Sequence, residues 1–462
     1  MEKQMSEGSF KKAIGPFSGM SIVAGMVIGS GIYYLGSYVL ERTGLSMGWS
    51  LVAWIVGGLI TIVGGLCFAE LGASMPVAGG QTIYLSEAYG PAFGFVNGFS
   101  CFLLTGSGGV AALAMAAVTA YRTVFDISEL MLKVIAILII LALMTINLLG
   151  VKEMTIYQNF SMVIRLVPVL MIIIIGLAAG TQTPDLSLSL AGTPAEGGGI
   201  SGVISMIGFA TFASLWAYDG WYNLNTVAEE MKNPKRDLPI AIIVSLIGIT
   251  LIYTLFNLAV YKVLPAEDIH EMIKAENLYM GNEVVARVLG GTGTWILLIC
   301  MTIGIVGSAN VNTLCDPRTY YAMAKEVYFP KLFAHLDARR GVPSYGILVA
   351  AGMAILLVIF NSLQELTDML IFTTSILNLM TIYGVLIMRK KYPNLERPYK
   401  VWGGKVTIYL TSIVYIVLMV NEFLDAPKAA VTGIVITAAG LLVYLYFKKK
   451  NGGTDYKGEG IE

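Results

Sequence analysis

From Gly19 to Ser37 the chain carries no charged residue. With its apolar flanks this stretch is long enough to cross a bilayer, which takes about 20 residues of helix. Gly29-Ser30-Gly31 interrupts it near the middle. A helix broken at that depth leaves amide N–H and C=O groups without partners. Each costs several kcal/mol in hydrocarbon, so such a break persists only where protein or a polar ligand satisfies the loose groups. The stretch reads as half of a binding site.

The remainder of the chain has the same solvent. Apolar runs of membrane-spanning length fall near residues 13–37, 49–74, 91–119, 130–149, 157–179, 201–226, 239–262, 292–322, 344–361, 366–388, 406–424 and 429–447. These predict an all-α integral membrane protein with twelve transmembrane helices. Charged residues make up 13% of the chain, about half the roughly 25% of a soluble domain. The polar segment Met1 to Lys12 precedes an apolar run with no small-residue cleavage site behind it, so the first span is expected to stay rather than leave as a signal peptide.

An even span count puts both termini on one side, and charge tests this. With the N-terminus inside, roughly 22 Lys and Arg fall on the inner side, including Lys152, Lys232, Lys235, Arg236 and the segments 318–340 and 389–405. About seven fall opposite: Arg42, Arg122, Lys133, Lys262, Lys274, Arg287 and Lys428. The asymmetry predicts cytoplasmic termini. The longest connections, 180–200 and 263–290, are then outside, the second with a short amphipathic helix around Glu267 to Lys274. No second domain is expected within 1–462, and the tail after Lys450 reads as disordered.

A second interrupted span runs from Ala213 to Asn225, where Asp219 and Gly220 stand together at membrane depth. Spans one and six each open a group of five. Breaks at corresponding positions of two repeats point to the binding site of a transporter, although the letters themselves show no inverted repeat. At Gly29-Ser30-Gly31 the half-helix that follows presents free N–H groups and a positive dipole end, which suit a carboxylate. Ser30 adds a hydroxyl donor, and glycine lets the backbone approach closely. Near Leu215, Trp216 and Ala217 the other half-helix offers free carbonyls, which suit an ammonium. A ligand with both groups one carbon apart is an α-amino acid. The bland alternative is that these glycines permit tight helix packing, which is the reading adopted for Gly25 and Gly36.

Arg165 stands alone in span five, where it either snorkels to the inner surface or serves as a fixed positive charge tying span five to span one. It holds its proton at any working pH and so carries none through a cycle. Asp219 has three readings: contact to a cationic substrate side chain, a proton-binding group, or a carboxylate held by the loose amides of the break. Trp216 lids the pocket or merely packs. Cys67, Cys101, Cys300 and Cys315 lack metal-ligand spacing and read as small buried apolar residues. Both histidines, His270 and His335, lie in loops, so neither a metal nor a cofactor is expected, and enzymatic chemistry in the membrane has no histidine to use. Nothing in the charge pattern points to nucleic acid.

Several motifs in order resemble the amino acid, polyamine and organocation (APC) superfamily: Gly29-Ser30-Gly31-Ile32, Ala69-Glu70-Leu71-Gly72, Pro76, Gly79-Gly80, Tyr84-Leu85 and Tyr89-Gly90. Its L-type branch, which includes bacterial SteT-like serine/threonine exchangers, is resembled at Trp216 to Trp221, Glu229-Glu230, Asn233-Pro234 and from Arg389 to Pro398. The resemblance covers spans one to ten and the loop after them. It implies a LeuT-like 5+5 inverted repeat with broken helices 1 and 6, a first repeat at 13–179, a second at 201–388 and two additional helices at 406–447. It implies sodium-independent exchange of amino acids across a bacterial plasma membrane by alternating access. Carried over by position, Gly29, Ser30 and Gly31 would meet the substrate carboxylate. Val27, Trp216, Ala217 and Asp219 would lie about its amino group, with Trp216 as the gate aromatic. Two departures matter. Arg165 stands where the branch usually has lysine, and no cysteine lies between Tyr121 and Lys133, where animal members join a glycoprotein, so no disulfide-linked heavy chain is expected. The function expected is exchange of small neutral L-amino acids such as serine, threonine or alanine. The alternatives are cationic amino acids or amines through Asp219, and, in another class, a sensor or channel.

Overall fold

The computed structural model describes residues 14–452 apart from 78, 150, 276, 326–328, 336, 338–341 and 426. The expected tail 1–12 and the end of the chain from 453 lie outside the described residues. In chain order the helices are α1 (Pro16–Val27), α2 (Gly31–Arg42), α3 (Met47–Ser74), α4 (Gln81–Tyr89), α5 (Pro91–Ser100), α6 (Gly106–Thr119), α7 (Glu129–Leu149) and α8 (Val151–Ala179). They continue as α9 (Gly199–Leu215), α10 (Pro234–Tyr261), α11 (Ala266–Lys274), α12 (Met280–Lys325), α13 (Ser344–Phe360), α14 (Leu363–Lys391), α15 (Gly404–Asp425) and α16 (Pro427–Lys450). No named strand occurs among the described residues, where the β pairing is one isolated bridge, Ile14 to Met231.

Among the described residues eight helices are long and apolar enough to cross a membrane, and nine spans result when α1 and α2, bent by 54°, count as one. Val163–Ala179, Gly199–Leu215 and Ser344–Phe360 are shorter apolar helices. All twelve apolar runs read from the sequence are therefore helical along most of their length. Their outward faces carry large bare side chains, Leu442 at 69% exposed, Leu251 at 60% and Ile204 at 56%, a surface for acyl chains rather than water.

Local chemistry sets the helix ends. Prolines begin α1, α5 and α10, where the missing N–H would have had no helical partner anyway. Ser46 Oγ accepts the Trp49 N–H ahead of α3, and Ser362 with Glu365 forms a reciprocal capping box on α14. Three features differ from the sequence reading. α4 was not expected, because nine residues are too few to register as a span. α12 starts well ahead of residue 292 and absorbs a kink at Gly290 (φ 67°). α5 passes into α6 through a π-helical turn, Cys101–Thr105.

The two halves of the chain interlock. α3 lies along α10, and α6 packs on α12, so the second span of one half meets the second of the other and the third meets the third. The α3–α10 crossing is close because Gly58 faces Thr250 and Gly65 faces Leu246: a Cβ at Gly58 would come within 2.3 Å of Thr250 Oγ1. α1 in turn packs on α10 and on the stretch that follows α9.

Candidate functional site

The first break is short and polar. Ile28 N–H still reaches Ala24 O at 2.9 Å, and Gly29 N–H turns back to Val27 O at 2.8 Å. Beyond them, among the described residues, the N–H groups of Ser30, Gly31 and Ile32 find no backbone acceptor in the preceding chain. They form the first turn of α2, whose dipole adds to their positive character. The Ser30 side chain is 1% exposed, and its Oγ has no hydrogen-bond partner among the described residues. Three successive amides and one buried hydroxyl thus lie within a single turn, a donor set suited to a carboxylate.

The second break is tighter than expected. α9 ends at Leu215, and short i to i+3 bonds carry the chain round to Gly220, which adopts φ 100°. Tyr218 N–H donates to Leu215 O at 3.1 Å and Asp219 N–H to Trp216 O at 3.2 Å. Of the three carbonyls expected to be free, those of Leu215 and Trp216 therefore each have one donor, because the turn tightens to 3-10 spacing, and each keeps a second lone pair; Ala217 O takes no backbone donor among the described residues. A 3-10 stretch, Trp221–Glu230, follows.

The breaks touch. A Cβ at Gly31 would lie 2.7 Å from Ala217 Cα and 3.1 Å from Ala217 N, and Gly220 faces Met26. Gly36 instead faces the flexible ends of Asn257 and Met280, which is packing, as expected. Between the breaks stands a residue that the sequence reading missed. Tyr253 on α10, fully buried, places its hydroxyl 2.9 Å from both Val27 O and Ala217 O. One proton serves two carbonyls, so one is always left with an unused lone pair. Its ring is fixed edge-on to Trp54 at 5.7 Å and lies 5.1 Å from Tyr218. A tyrosine in an apolar run carries no local signal of this role.

Arg165 does not snorkel. It is 2% exposed, its Nη1 donates to Ser308 Oγ on α12 at 3.1 Å, and Tyr33 OH on α2 donates to its backbone carbonyl at 3.4 Å. Ser308 Oγ in turn stands 3.6 Å from where a Cβ on Gly29 would be, so the charge sits one residue behind the first break. Asp219 accepts from Tyr222 OH at 3.4 Å and makes no ion pair among the described residues. Trp216 is half-buried at the end of α9.

A cavity of about 470 Å³ opens on the face that carries α11. Tyr34, Tyr38, Thr119, Phe212, Thr367 and Asp368 line its inner part. It stops about one helical turn short of the breaks: none of Val27, Gly29, Ser30, Gly31, Trp216, Ala217 and Asp219 lines it, while Tyr34 and Ala213, three residues from Gly31 and Trp216, do. The opposite face is sealed. Glu70, buried at the end of α3, takes a bidentate contact from Arg389 at 2.8 and 2.5 Å and the Val401 N–H at 2.8 Å, with Arg397 at 3.8 Å. Tyr84 OH reaches Asn225 at 3.1 Å, and Lys232 N–H pairs with Ile14 O at 2.8 Å.

Two polar helix breaks in contact inside an apolar helical bundle, with a cavity reaching toward them from one face and an ion-paired cluster at the other, define the class of multi-pass membrane carriers. The family model for amino acid permeases matches residues 14–447, and the chain belongs to that family, within the APC superfamily. It is similar to the human b(0,+)-type amino acid transporter 1 (29% identical over 446 residues, 95% of this chain and 88% of that protein). The serine/threonine exchanger SteT of Bacillus subtilis (strain 168) is 29% identical over 453 residues, 96% of this chain and 98% of that protein. The human cystine/glutamate transporter is 27% identical over 448 residues, 95% of this chain and 85% of that protein. The protein is an amino acid transporter and not an enzyme.

Proposed function

We propose that the protein is a sodium-independent exchanger of small neutral L-amino acids such as serine, threonine or alanine, working by alternating access. The observation that carries this is the facing of unlike backbone ends. The amides of Ser30, Gly31 and Ile32 and the unpartnered Ser30 hydroxyl stand on one side, and the carbonyls of Val27 and Ala217 on the other. The substrate carboxylate takes the amides of Ser30, Gly31 and Ile32 and the Ser30 hydroxyl, and lies against Gly29, whose own N–H is held by Val27 O. Its ammonium takes the carbonyls of Val27, Trp216 and Ala217, sharing them with or displacing the Tyr253 hydroxyl. Arg165 supplies a fixed charge behind the break, and Trp216 closes over the substrate. The pairing of second with second and third with third spans supports a 5+5 inverted repeat within twelve spans, with α15 and α16 appended and both termini cytoplasmic. The α11 face is then outer and the Glu70–Arg389 face inner, which makes the conformation inner-closed.

The similarity to a protein named as a serine/threonine exchanger supports the preference for small neutral substrates. A second reading, transport of cationic amino acids or amines, is favoured by one observation: Asp219 lies at the second break without an ion pair among the described residues. One experiment separates the two. Purified protein in liposomes is expected to take up labelled serine only when the vesicles are preloaded with amino acid, and equally well with choline in place of sodium. Uptake into empty vesicles at the loaded rate overturns exchange. Arginine uptake lost selectively in Asp219→Asn moves the assignment to cationic substrates.

A further inference from the structure

Asp316 is a second carboxylate at membrane depth that the transport reading leaves unused. It lies eight residues beyond Ser308 on α12, about 12 Å along the helix toward the Glu70–Arg389 face. Its room comes from the facing helix. A Cβ at Gly106 would meet Asp316 Oδ2 at 2.5 Å and Cys101 O at 2.8 Å, and one at Gly109 would meet Asn312 Nδ2 at 2.8 Å, so the two glycines leave room for these polar side chains between α6 and α12. The helix opposite is also irregular there. Cys101 opens the π-helical turn and donates its S–H to Asp316 Oδ1 at 3.5 Å, while Tyr320 OH donates to the Cys101 carbonyl at 3.3 Å. Such turns often mark functional sites.

Beside the carboxylate is a cavity of about 10 Å³, room for one water molecule. Its polar side is Ser107, Asn312 and Thr313; α7 and α13 contribute only Ile140, Ala350 and Ala351. Among the described residues the titratable groups facing Asp316 are Cys101 from the π turn, Tyr320 from α12 itself and Tyr222 from the 3-10 stretch. Tyr222 also donates to Asp219 Oδ2 at 3.4 Å. No Lys, Arg or His forms an ion pair with Asp316 among the described residues, and Arg318, two residues on, donates to the Leu314 carbonyl. Asp316 is half-buried, and one S–H donor among the described residues is a poor substitute for full hydration of a carboxylate, whereas the neutral acid suits the same place.

We propose that Asp316 is a proton-binding site on the sealed half of the transport path, protonated while that half is closed and ionised when it opens to water. Exchange then depends on pH on the side that hydrates Asp316. The proton comes from that water and returns to it, with no other bond made or broken. This rests on the transport reading above.

The test uses the full chain in liposomes, with serine exchange followed across the neutral pH range in sodium and in choline. The wild type is expected to change rate several-fold across that range. Asp316→Asn is expected to flatten the profile, and Asp316→Glu to restore it with a displaced midpoint. In parallel, dicyclohexylcarbodiimide, which attacks protonated carboxyls in apolar surroundings, is expected to label Asp316 of the wild type. Peptide mass spectrometry should show that label fading as pH rises. A pH profile that survives Asp316→Asn, or no label at any pH, overturns the proposal. Exchange that needs sodium and loses that need in Asp316→Asn overturns it in favour of a metal cation. Should Asp316→Asn fail to fold, the labelling of the wild type decides alone. Labelling that fades with pH but without any serine exchange refutes the proposed substrate and exchange mode and leaves the proton site standing.

Discussion

Ser30→Ala tests the site because its two expected effects have opposite sign. Without substrate Ser30 Oγ is buried and has no hydrogen-bond partner among the described residues, which penalises the folded state by about 1–3 kcal/mol. Alanine removes that penalty and fits the same space, so the melting temperature of the unliganded variant should hold or rise. With substrate bound, the hydroxyl donates to a charged carboxylate, a bond worth about 1.5–3 kcal/mol. Three amides share that carboxylate and partly compensate, so the lower figure applies, and about 1.4 kcal/mol is tenfold in affinity. Serine exchange by Ser30→Ala should therefore show a KM about tenfold higher. The assay is initial-rate exchange in preloaded liposomes together with the melting shift produced by substrate. A variant that melts lower than wild type while keeping its KM would place Ser30 in the packing and remove it from the site.

Other outcomes follow from the same geometry. Gly31→Ala puts a methyl 2.7 Å from Ala217 Cα, where neither backbone can yield without moving a break, and should cost about 1–3 kcal/mol and abolish exchange. Gly29→Ala, whose nearest neighbour would be Ser308 Oγ at 3.6 Å, should fold with wild-type stability, and circular dichroism melts compare the pair. Tyr253→Phe removes the proton shared by Val27 O and Ala217 O and should destabilise the unliganded protein by about 1–3 kcal/mol, with KM for serine altered several-fold. Arg389→Ala leaves Glu70 buried beside the more distant Arg397, should cost about 3 kcal/mol on the sealed face, and should raise the reactivity of a cysteine placed at Ala73 toward a membrane-impermeant thiol reagent; unchanged reactivity would refute the latch.

The helical spans and the first break were legible because hydropathy and glycine act locally: a charge-free run must find hydrocarbon, and Gly29-Ser30-Gly31 cannot hold its amides in a regular helix. The amphipathic helix around Glu267 to Lys274 was legible for the same reason, from charge on one face and apolar residues on the other. The second break was legible in place but not in form. Asp219 and Gly220 marked it, yet the i to i+3 bonds that give Leu215 and Trp216 their partners depend on how the turn closes. Tyr253 was invisible, as was the contact of Arg165 with Ser308.

The sequence alone determined which segments enter the membrane and where two of them lose their regular bonding, since both follow from the solvation of consecutive residues. Only the tertiary structure decided what meets the loose ends. Tyr253 stands 226 positions from Val27 and 36 from Ala217, Gly31 is pressed on Ala217, and Glu70 is gripped by Arg389 from 319 positions away. Such pairings depend on the rotation and crossing of packed helices, and nothing in a residue's own neighbourhood of the chain specifies them.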